Sequence, residues 1–142
     1  MKLSKNVDCP CKSGDPYGQC CAPYHAGELA PTPVALMRSR FSAYALKLVQ
    51  YVMDTTHPEG TQYRPNASAW RREVEKFCRA TRFRDLEIIS AEEGESEDEG
   101  FVTFRAELYS GRTDVSFTER SVFRRHEGAW KYHSGEHLVR SS

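Results

Sequence analysis

The sequence predicts an α+β fold, in which helices cover one face of a curved antiparallel sheet. Between residues 33 and 81 the apolar residues recur with the period of a helix, and beyond residue 84 they alternate with the period of a strand. Helices followed by a run of strands favour segregated layers. A chain of 142 residues is long enough for one domain with a buried core, and we expect a small N-terminal appendage.

The appendage is predicted from four of the five cysteines, which cluster in DCPCKSGDPYGQCCAPYH, residues 8 to 25. A disulfide framework needs an oxidising compartment, and a Cys-x-x-Cys redox pair is absent. Cys-x-Cys, eight residues and Cys-Cys instead supply thiolates from two short arms to one metal ion. The turn-forming residues between the arms suit their convergence.

Four thiolates would complete a tetrahedral shell, whereas a catalytic zinc keeps one position open for water. The predicted site is therefore structural. Thiolates favour Zn²⁺, with an iron–sulfur cluster or copper(I) as rarer occupants. The predicted ligands are Cys9, Cys11, Cys20 and Cys21, and His25 is an alternative to Cys21 as the fourth ligand.

Two helices are predicted between the cysteines and the strands. Thr32 is a good N-cap and Pro33 suits the first helical position, so the first helix spans 33–55 and ends before Pro58. A second helix begins near Ser68. Its buried stripe is predicted to contain Trp70, Val74, Phe77, Cys78 and Thr81, which makes Cys78 a core residue.

The opposite side of the second helix carries Arg72, Lys76 and Arg79, which we call the basic stripe. The net charge is zero, but residues 38–84 carry ten basic and four acidic side chains, and residues 85–142 carry seven and thirteen. Such charges either solvate a surface or meet an anionic partner.

The strand region begins with LEIISAEE and continues with FVTFRAELY, DVSFTERSVFRR and WKYHSGEH. The acidic segment EEGESEDEG is predicted to be a hairpin loop, and Gly111 marks a turn. One face of the third strand is predicted to carry Val115, Phe117, Glu119, Ser121 and Phe123.

Glu119 is the candidate catalytic residue, because a carboxylate among apolar neighbours tends to have a raised pKa that suits acid–base chemistry. The structural alternative is an ion pair with Arg38 or Arg40 of the first helix. His57 either caps that helix or faces a pocket. The candidates for a pocket are Arg38, Arg40, Tyr44, His57, Trp70 and Glu119.

No apolar run approaches the roughly 20 residues that a membrane-spanning helix needs. The first residues, MKLSKNVDCPC, contain no apolar segment of the kind found in secretory signals. We therefore expect a cytoplasmic protein that does not bind membranes.

The segment CPCKSGDPYGQCC resembles the SEC-C motif, a small zinc-binding tail of the SecA translocase and of many small bacterial proteins. Lys12 replaces the more usual glycine, and Asp15 stands where a basic residue is common. The SecA motif helps to bind a chaperone and the ribosome, which implies a protein or ribonucleoprotein partner. The motif positions are occupied by Cys9, Cys11, Ser13, Gly14, Cys20 and Cys21.

The order of helices and strands also resembles the cone-shaped, cystatin-like fold of nuclear transport factor two, ketosteroid isomerase and scytalone dehydratase. Together with the segments ALMRSRFSAYALK, THP and ERSVFRRHEGAWKYHSG, it gives almost the whole chain a resemblance to the YchJ-like family. This implies a SEC-C-like zinc-binding motif over 1–30 and a cone-shaped domain over 31–142. Proteins of this fold often dimerise through the sheet, so a homodimer is expected by analogy.

Two functions compete at this stage. The first is a non-enzymatic interaction module that binds a protein or ribonucleoprotein partner. The alternative is a small-molecule carrier, or an acid–base enzyme of the isomerase, dehydratase or hydrolase kind, that uses the pocket of the cone-shaped domain.

Overall fold

The helices precede the strands along the chain, as the sequence predicts. The computed structural model describes residues 4–138. After a 3-10 turn at Tyr17–Gln19, the elements are α1 (Ala22–His25), α2 (Pro33–Ala45), α3 (Val49–Asp54), α4 (Ala67–Ala80), β1 (Thr81–Glu93), β2 (Glu99–Ser110), β3 (Thr113–Asp114), β4 (Phe117–His126) and β5 (Ala129–His137). The α+β prediction is confirmed.

The sheet is antiparallel, with the order β1-β2-β4-β5, and the short β3 pairs with β2. On β2 the alternation of side chains is regular: Val102, Phe104, Ala106 and Leu108 are all buried. They form the main core with Leu36, Met37 and Phe41 of α2. Each fully buried Val, Leu, Phe or Met side chain contributes about 1.5–3 kcal/mol relative to exposure, so the packing of α2 on the sheet is a major source of stability.

The predicted first helix of 33–55 is two helices, because the chain bends at Lys47. Lys47 has φ +63°, and the Leu48 N–H donates to the Ala43 carbonyl at 2.8 Å. The Lys47 N–H donates to the Tyr44 carbonyl at 3.2 Å, which completes a Schellman ending for α2. Neither glycine nor proline marks this bend in the sequence. After the bend, α3 packs on α4.

A second core lies between α3 and α4. Trp70, Val74 and Cys78 are buried as predicted and pack against Val52 and Met53. Cys78 is 3% exposed, in agreement with its interpretation as a core residue. The N-cap of α4 is Asn66, whose Oδ1 accepts from the Ala69 N–H at 3.1 Å.

Three residues of the predicted apolar stripes lie elsewhere. Phe77 is 43% exposed, and its ring makes edge contacts with Tyr44 and Phe83 beside the second core. Thr81 begins β1 and is not part of α4. Val115 is exposed because it precedes β4, and its N–H is used to bind the Leu108 carbonyl at 3.0 Å.

The outer edge of β5 is covered by the segment 55–61, which we call the strap. The Tyr132 N–H donates to the Thr55 carbonyl and the His57 N–H donates to the Tyr132 carbonyl, both at 2.8 Å. The Thr61 N–H donates to the His133 carbonyl at 2.9 Å. The strap therefore satisfies backbone groups that would otherwise form an open sheet edge.

Candidate metal centre and interior cavity

The four clustered cysteines converge on one point. Their Sγ atoms all lie within 4.8 Å of one another, with Cys11 3.5 Å and Cys21 3.9 Å from Cys20. Both separations far exceed the bond length of about 2.05 Å in a disulfide. Four sulfurs at about 2.3 Å from a central Zn²⁺ would lie about 3.8 Å apart, so the donor set fits one tetrahedral ion.

Local turns bring the two arms together. The Cys9 N–H donates to the Asp15 carbonyl at 2.9 Å, and the Lys12 N–H donates to the Cys9 carbonyl at 3.0 Å. Lys12 and Gly14 have φ values of +65° and +92°, a region that favours glycine. The Cys20 N–H donates to the Tyr17 carbonyl at 3.0 Å, which places the second arm after the 3-10 turn.

The centre is nearly closed to solvent. Cys9, Cys11 and Cys21 are at most 1% exposed, and Cys20 is half-buried with its Sγ 3.2 Å from the Ser13 hydroxyl. Hydrogen bonds from the Cys21 and Cys9 thiols lower the pKa of Cys11. Four thiolates so close together require a cation to offset their mutual repulsion, so the chemistry of the donor set also indicates metal binding.

His25, the alternative ligand, lies outside this group of four sulfurs. Its Nε2–H donates to the Ser39 carbonyl at 2.9 Å, and its Nδ1 accepts from the Tyr17 hydroxyl at 2.7 Å. Both ring nitrogens therefore have partners. Burial lowers the pKa of His25, which favours this neutral tautomer.

The cysteine-containing segment docks on α2. Arg38 donates from Nη1 to the Cys11 carbonyl at 3.1 Å, and His25 binds the α2 backbone at Ser39. The Tyr51 hydroxyl donates to the Ser39 hydroxyl at 2.7 Å and its ring packs on His25. Arg38, a pocket candidate, thus has a role at the contact between the metal centre and the domain.

A half-open cavity of about 130 Å³ lies between α2 and the sheet. Three of the candidates from the sequence line it, namely Arg40, Tyr44 and Glu119. Its other walls are largely aromatic and aliphatic: Met37, Phe41, Gln62, Phe77, Phe83, Phe104, Ala106, Leu108, Phe117 and Tyr132. Arg38, His57 and Trp70 do not line it, and Trp70 belongs to the core between α3 and α4.

Glu119 is 7% exposed and has partners other than the predicted arginines. Its Oε2 accepts from the hydroxyls of Ser121 and Tyr132, and its Oε1 lies 3.3 Å from Nε2 of His137. The predicted ion pair with Arg38 or Arg40 is wrong, because both arginines hydrogen-bond elsewhere. A Cβ at Gly135 would collide with the Glu119 carboxylate, so that glycine makes room for the acid.

Arg40 lines the same cavity from α2. It is 3% exposed, and its Nη1 donates to the Val52 carbonyl at 3.0 Å and to the Thr55 hydroxyl at 2.8 Å. The guanidinium carbon lies 5.0 Å from the centre of the Tyr132 ring. Burial raises the pKa of Tyr132, and the nearby Glu119 carboxylate raises it further, so its hydroxyl stays protonated and donates to Glu119 at 3.2 Å.

His57 neither caps a helix nor reaches the cavity. Its Nδ1 accepts from the Glu59 N–H at 3.0 Å, and its ring lies between those of His126 and His133, with centroids 5.3 Å and 5.2 Å away. Burial lowers the pKa of His57, and the two neighbouring histidines lower it further. The ring therefore belongs to the strap.

The basic stripe lies on the exposed side of α4. Arg72, Lys76 and Arg79 are all exposed and make no ion pair within residues 4–138. Most arginines of the sheet, in contrast, form ion pairs; for example, Arg84 pairs with Glu107 at 3.3 Å. The stripe is thus a row of exposed basic side chains without a close ion pair among the described residues, although Glu73 and Glu75 lie on the same helix.

The sequence did not reveal the partners of Glu119. Ser121 shares its strand face at a spacing of two, a signal that could have identified it. Tyr132 and His137 lie on β5, where the register shifts near His133, and no residue pattern marks that shift. Their contact with Glu119 could therefore not be derived from periodicity.

Two family models match separate parts of the chain. Residues 6–23 match the SEC-C motif, and residues 32–135 match the family described as YchJ, middle NTF2-like domain. A UPF0225 protein of Sodalis glossinidius is 40% identical over 134 residues, covering 92% of this chain and 84% of the relative. One of Pectobacterium carotovorum is 39% identical over 136 residues, covering 92% and 83%.

Solved structures show the same fold. A SEC-C motif containing protein from Rhodopseudomonas palustris is 32% identical, with a TM-score of 0.77 over 94% of this chain and 100% of that one. One from Psychrobacter arcticus is 22% identical, with a TM-score of 0.76 over 99% and 88%. A Caulobacter vibrioides protein with a cystatin-like fold is 13% identical, with a TM-score of 0.52 over 76% and 87%, and shares the fold alone.

No helix within residues 4–138 has the length and apolar character needed to cross a membrane. The predicted domain boundary between residues 30 and 31 stays a prediction. The matched ranges, the level of identity and the converging cysteines together show that the chain belongs to the YchJ-like UPF0225 family, which combines a SEC-C motif with an NTF2-like domain.

Proposed function

We propose that the chain is a non-enzymatic interaction module built around a structural Zn²⁺. Cys9, Cys11, Cys20 and Cys21 would hold the ion, and the observation that carries this proposal is the convergence of their Sγ atoms within 4.8 Å. Four thiolates leave no position for a reactive water, which is typical of a structural site. Reduced thiols also suit the cytoplasm, where we expect the protein to act.

The metal identity is tested by replacing one ligand. Wild-type protein purified under reducing conditions without chelators is expected to contain one equivalent of zinc by elemental analysis. C9S should lose it, because three thiolates bind far more weakly than four. C78S is the matched control, since Cys78 is equally buried but lies in the second core. Equal zinc contents in C9S and C78S would contradict the proposal.

The basic stripe supports an anionic partner, for which a ribonucleoprotein is our choice. Exposed, unpaired Arg and Lys side chains attract phosphate backbones, and the SEC-C resemblance favours the same kind of partner. The proposed contact is the surface formed by Arg72, Lys76 and Arg79.

Cosedimentation with ribosomes at low and high salt tests the contact. The triple variant R72A/K76A/R79A is expected to lose at least tenfold in binding, and wild-type binding should weaken steeply with salt. The control R84A/R112A/R120A removes the same three charges from outside α4 and should retain binding. Equal losses in both variants would show that only net charge matters, and no loss in either would refute the contact.

A second candidate function is small-molecule binding in the cavity, favoured by its aromatic walls and by the buried Arg40 and Glu119. A106L is the variant that fills the cavity, because Ala106 lines the cavity and carries neither of its charges. A thermal-shift screen of small compounds should yield hits that stabilise the wild type and not A106L. Hits that stabilise both proteins equally would place binding elsewhere and refute this function.

A further inference from the structure

The buried guanidinium of Arg40 has no acidic partner. Arg40 is 3% exposed and permanently charged, yet no carboxylate oxygen of residues 4–138 lies within 4.0 Å of it. Its only hydrogen bonds run from Nη1, to the Val52 carbonyl and to the hydroxyls of Thr55 and Thr56. Buried charges in folded proteins are normally paired, so this cation lacks its counter-charge.

The Nε and Nη2 groups of Arg40 are available to the cavity. Among the described residues neither makes a hydrogen bond of 3.5 Å or less, although the cavity-lining Tyr44 is close enough for Arg40 to oppose the rise in the Tyr44 pKa that burial causes. Among the described residues, the only side-chain nitrogen or oxygen that is both inaccessible to solvent and without a hydrogen bond is Trp130 Nε1. Nε and Nη2 of Arg40 are thus not inaccessible atoms without a partner. The free edge of Arg40 must therefore border accessible space, and Arg40 lines the cavity. This edge presents two parallel N–H donors, the geometry that binds a carboxylate through both oxygens.

Glu119 does not neutralise this charge. Its Oε2 already accepts from the hydroxyls of Ser121 and Tyr132, its Oε1 lies beside His137, and no arginine nitrogen of the described residues lies within 4.0 Å of it. The buried positive charge that lacks a carboxylate partner within 4.0 Å in residues 4–138 is therefore that of Arg40.

We propose that the cavity binds a small monocarboxylate. Its two oxygens accept from Nε and Nη2 of Arg40, and its short apolar chain packs among Phe41, Phe104 and Phe117. The volume of about 130 Å³ resembles an engineered cavity of about 150 Å³ that holds benzene, so the ligand has only a few carbon atoms. This inference rests on the second proposed function and names the ligand class of that same site.

Propionate, with propionamide as its uncharged isostere, tests the charge requirement. Both are titrated into the full-length, zinc-loaded protein at constant ionic strength, and binding is followed by NMR shifts of backbone amides around the cavity. Propionate is expected to saturate in the millimolar range and to bind at least tenfold more tightly than propionamide. R40M should abolish the difference, whereas R112M, in an exposed turn, should leave it unchanged.

Two further variants keep the test decisive if R40M fails to fold. A106L retains Arg40 but fills the cavity, so propionate binding should be lost. E119Q removes the negative charge from the cavity and should bind propionate more tightly, the opposite of what a Glu119-dependent reaction would show. Equal binding of propionate and propionamide would overturn the carboxylate assignment alone, and binding of neither would also remove the cavity as a site for ligands of this size.

Discussion

Single residues set the geometry of the metal centre, and Lys12 is the least suited of them to its place. It adopts φ +65°, where a side chain costs of the order of 1–3 kcal/mol, and the SEC-C resemblance puts a glycine there. The backbone hydrogen bonds of the turn between Cys9 and Asp15 compensate for this conformational strain. The affinity for metal therefore includes the cost of holding a lysine in a glycine conformation.

K12G is expected to stabilise the protein by about 0.5–1 kcal/mol, because strain relief exceeds the added entropy of the unfolded chain. The measurement is the thermal unfolding midpoint in excess Zn²⁺. G14A is the matched opposite, since Gly14 has φ +92° and open space around its missing Cβ, so its cost is purely conformational. A midpoint that falls in K12G would contradict this explanation.

Gly135 is the second residue with a measurable geometric role. An alanine there would collide with the Glu119 carboxylate, so G135A should destabilise the protein by about 1–3 kcal/mol. In an E119A background the same change should cost much less, because the colliding group is gone. Urea unfolding of the four proteins of this cycle gives the coupling, and strictly additive effects would show that the collision does not determine the cost.

Among the elements, the strap is the one whose hold on the sheet depends on pH. His57 is buried in it, and burial lowers its pKa, with His133 and His126 adding repulsion. Glu59 opposes this shift and Arg124 reinforces it. The folded pKa thus lies below the ordinary value of 6.5, and the unfolded chain takes up the proton first.

The stability that this histidine contributes is present above about pH 6.5 and is lost as the pH falls through its folded pKa. H57N should reduce that loss, because asparagine cannot titrate but can still accept from the N–H two residues later. Urea midpoints at about pH 7.5 and about pH 5 measure the effect. If H57N loses as much stability on acidification as the wild type, the strap is not the pH-sensitive element.

The elements also show how far the sequence could predict the fold. Thr32 and Pro33 fixed the start of α2, and strict alternation on β2 identified its buried face. The break at Lys47 escaped prediction because tertiary packing imposes it on a residue without turn preference. The candidate sites were also predictable only in part. The cysteine cluster could be predicted because the four residues are close in sequence, whereas the Glu119 partners on β5 depend on a register shift between β4 and β5.

At the scale of the whole molecule, the metal centre and the domain are coupled through α2. Arg38 donates to the Cys11 carbonyl, and His25 donates to the Ser39 carbonyl. These hydrogen bonds link the folding of the N-terminal segment to α2, which packs in the main core. The proposed Zn²⁺ would be the largest single stabilising contribution to this segment, since structural zinc contributes about 10–16 kcal/mol in small zinc peptides.

Chelation is therefore expected to collapse the NMR signals of residues 4–28 and to shift those around Ser39, while the central strands stay folded. R38A should weaken the effect at α2 without removing zinc, because Arg38 binds a backbone carbonyl and not a thiolate. Zinc content and amide spectra recorded with and without chelator provide the measurement. Unchanged spectra after complete zinc removal would show that the segment folds without metal.

The steric constraint between Gly135 and Glu119 also predicts how these two positions vary across the family. A side chain at position 135 and the Glu119 carboxylate would occupy the same space. A homologue with a larger residue at position 135 should therefore have a different residue at position 119, or an acid there in another rotamer. The two positions should consequently change together between species, and their joint pattern would tell which members have kept an acidic interior.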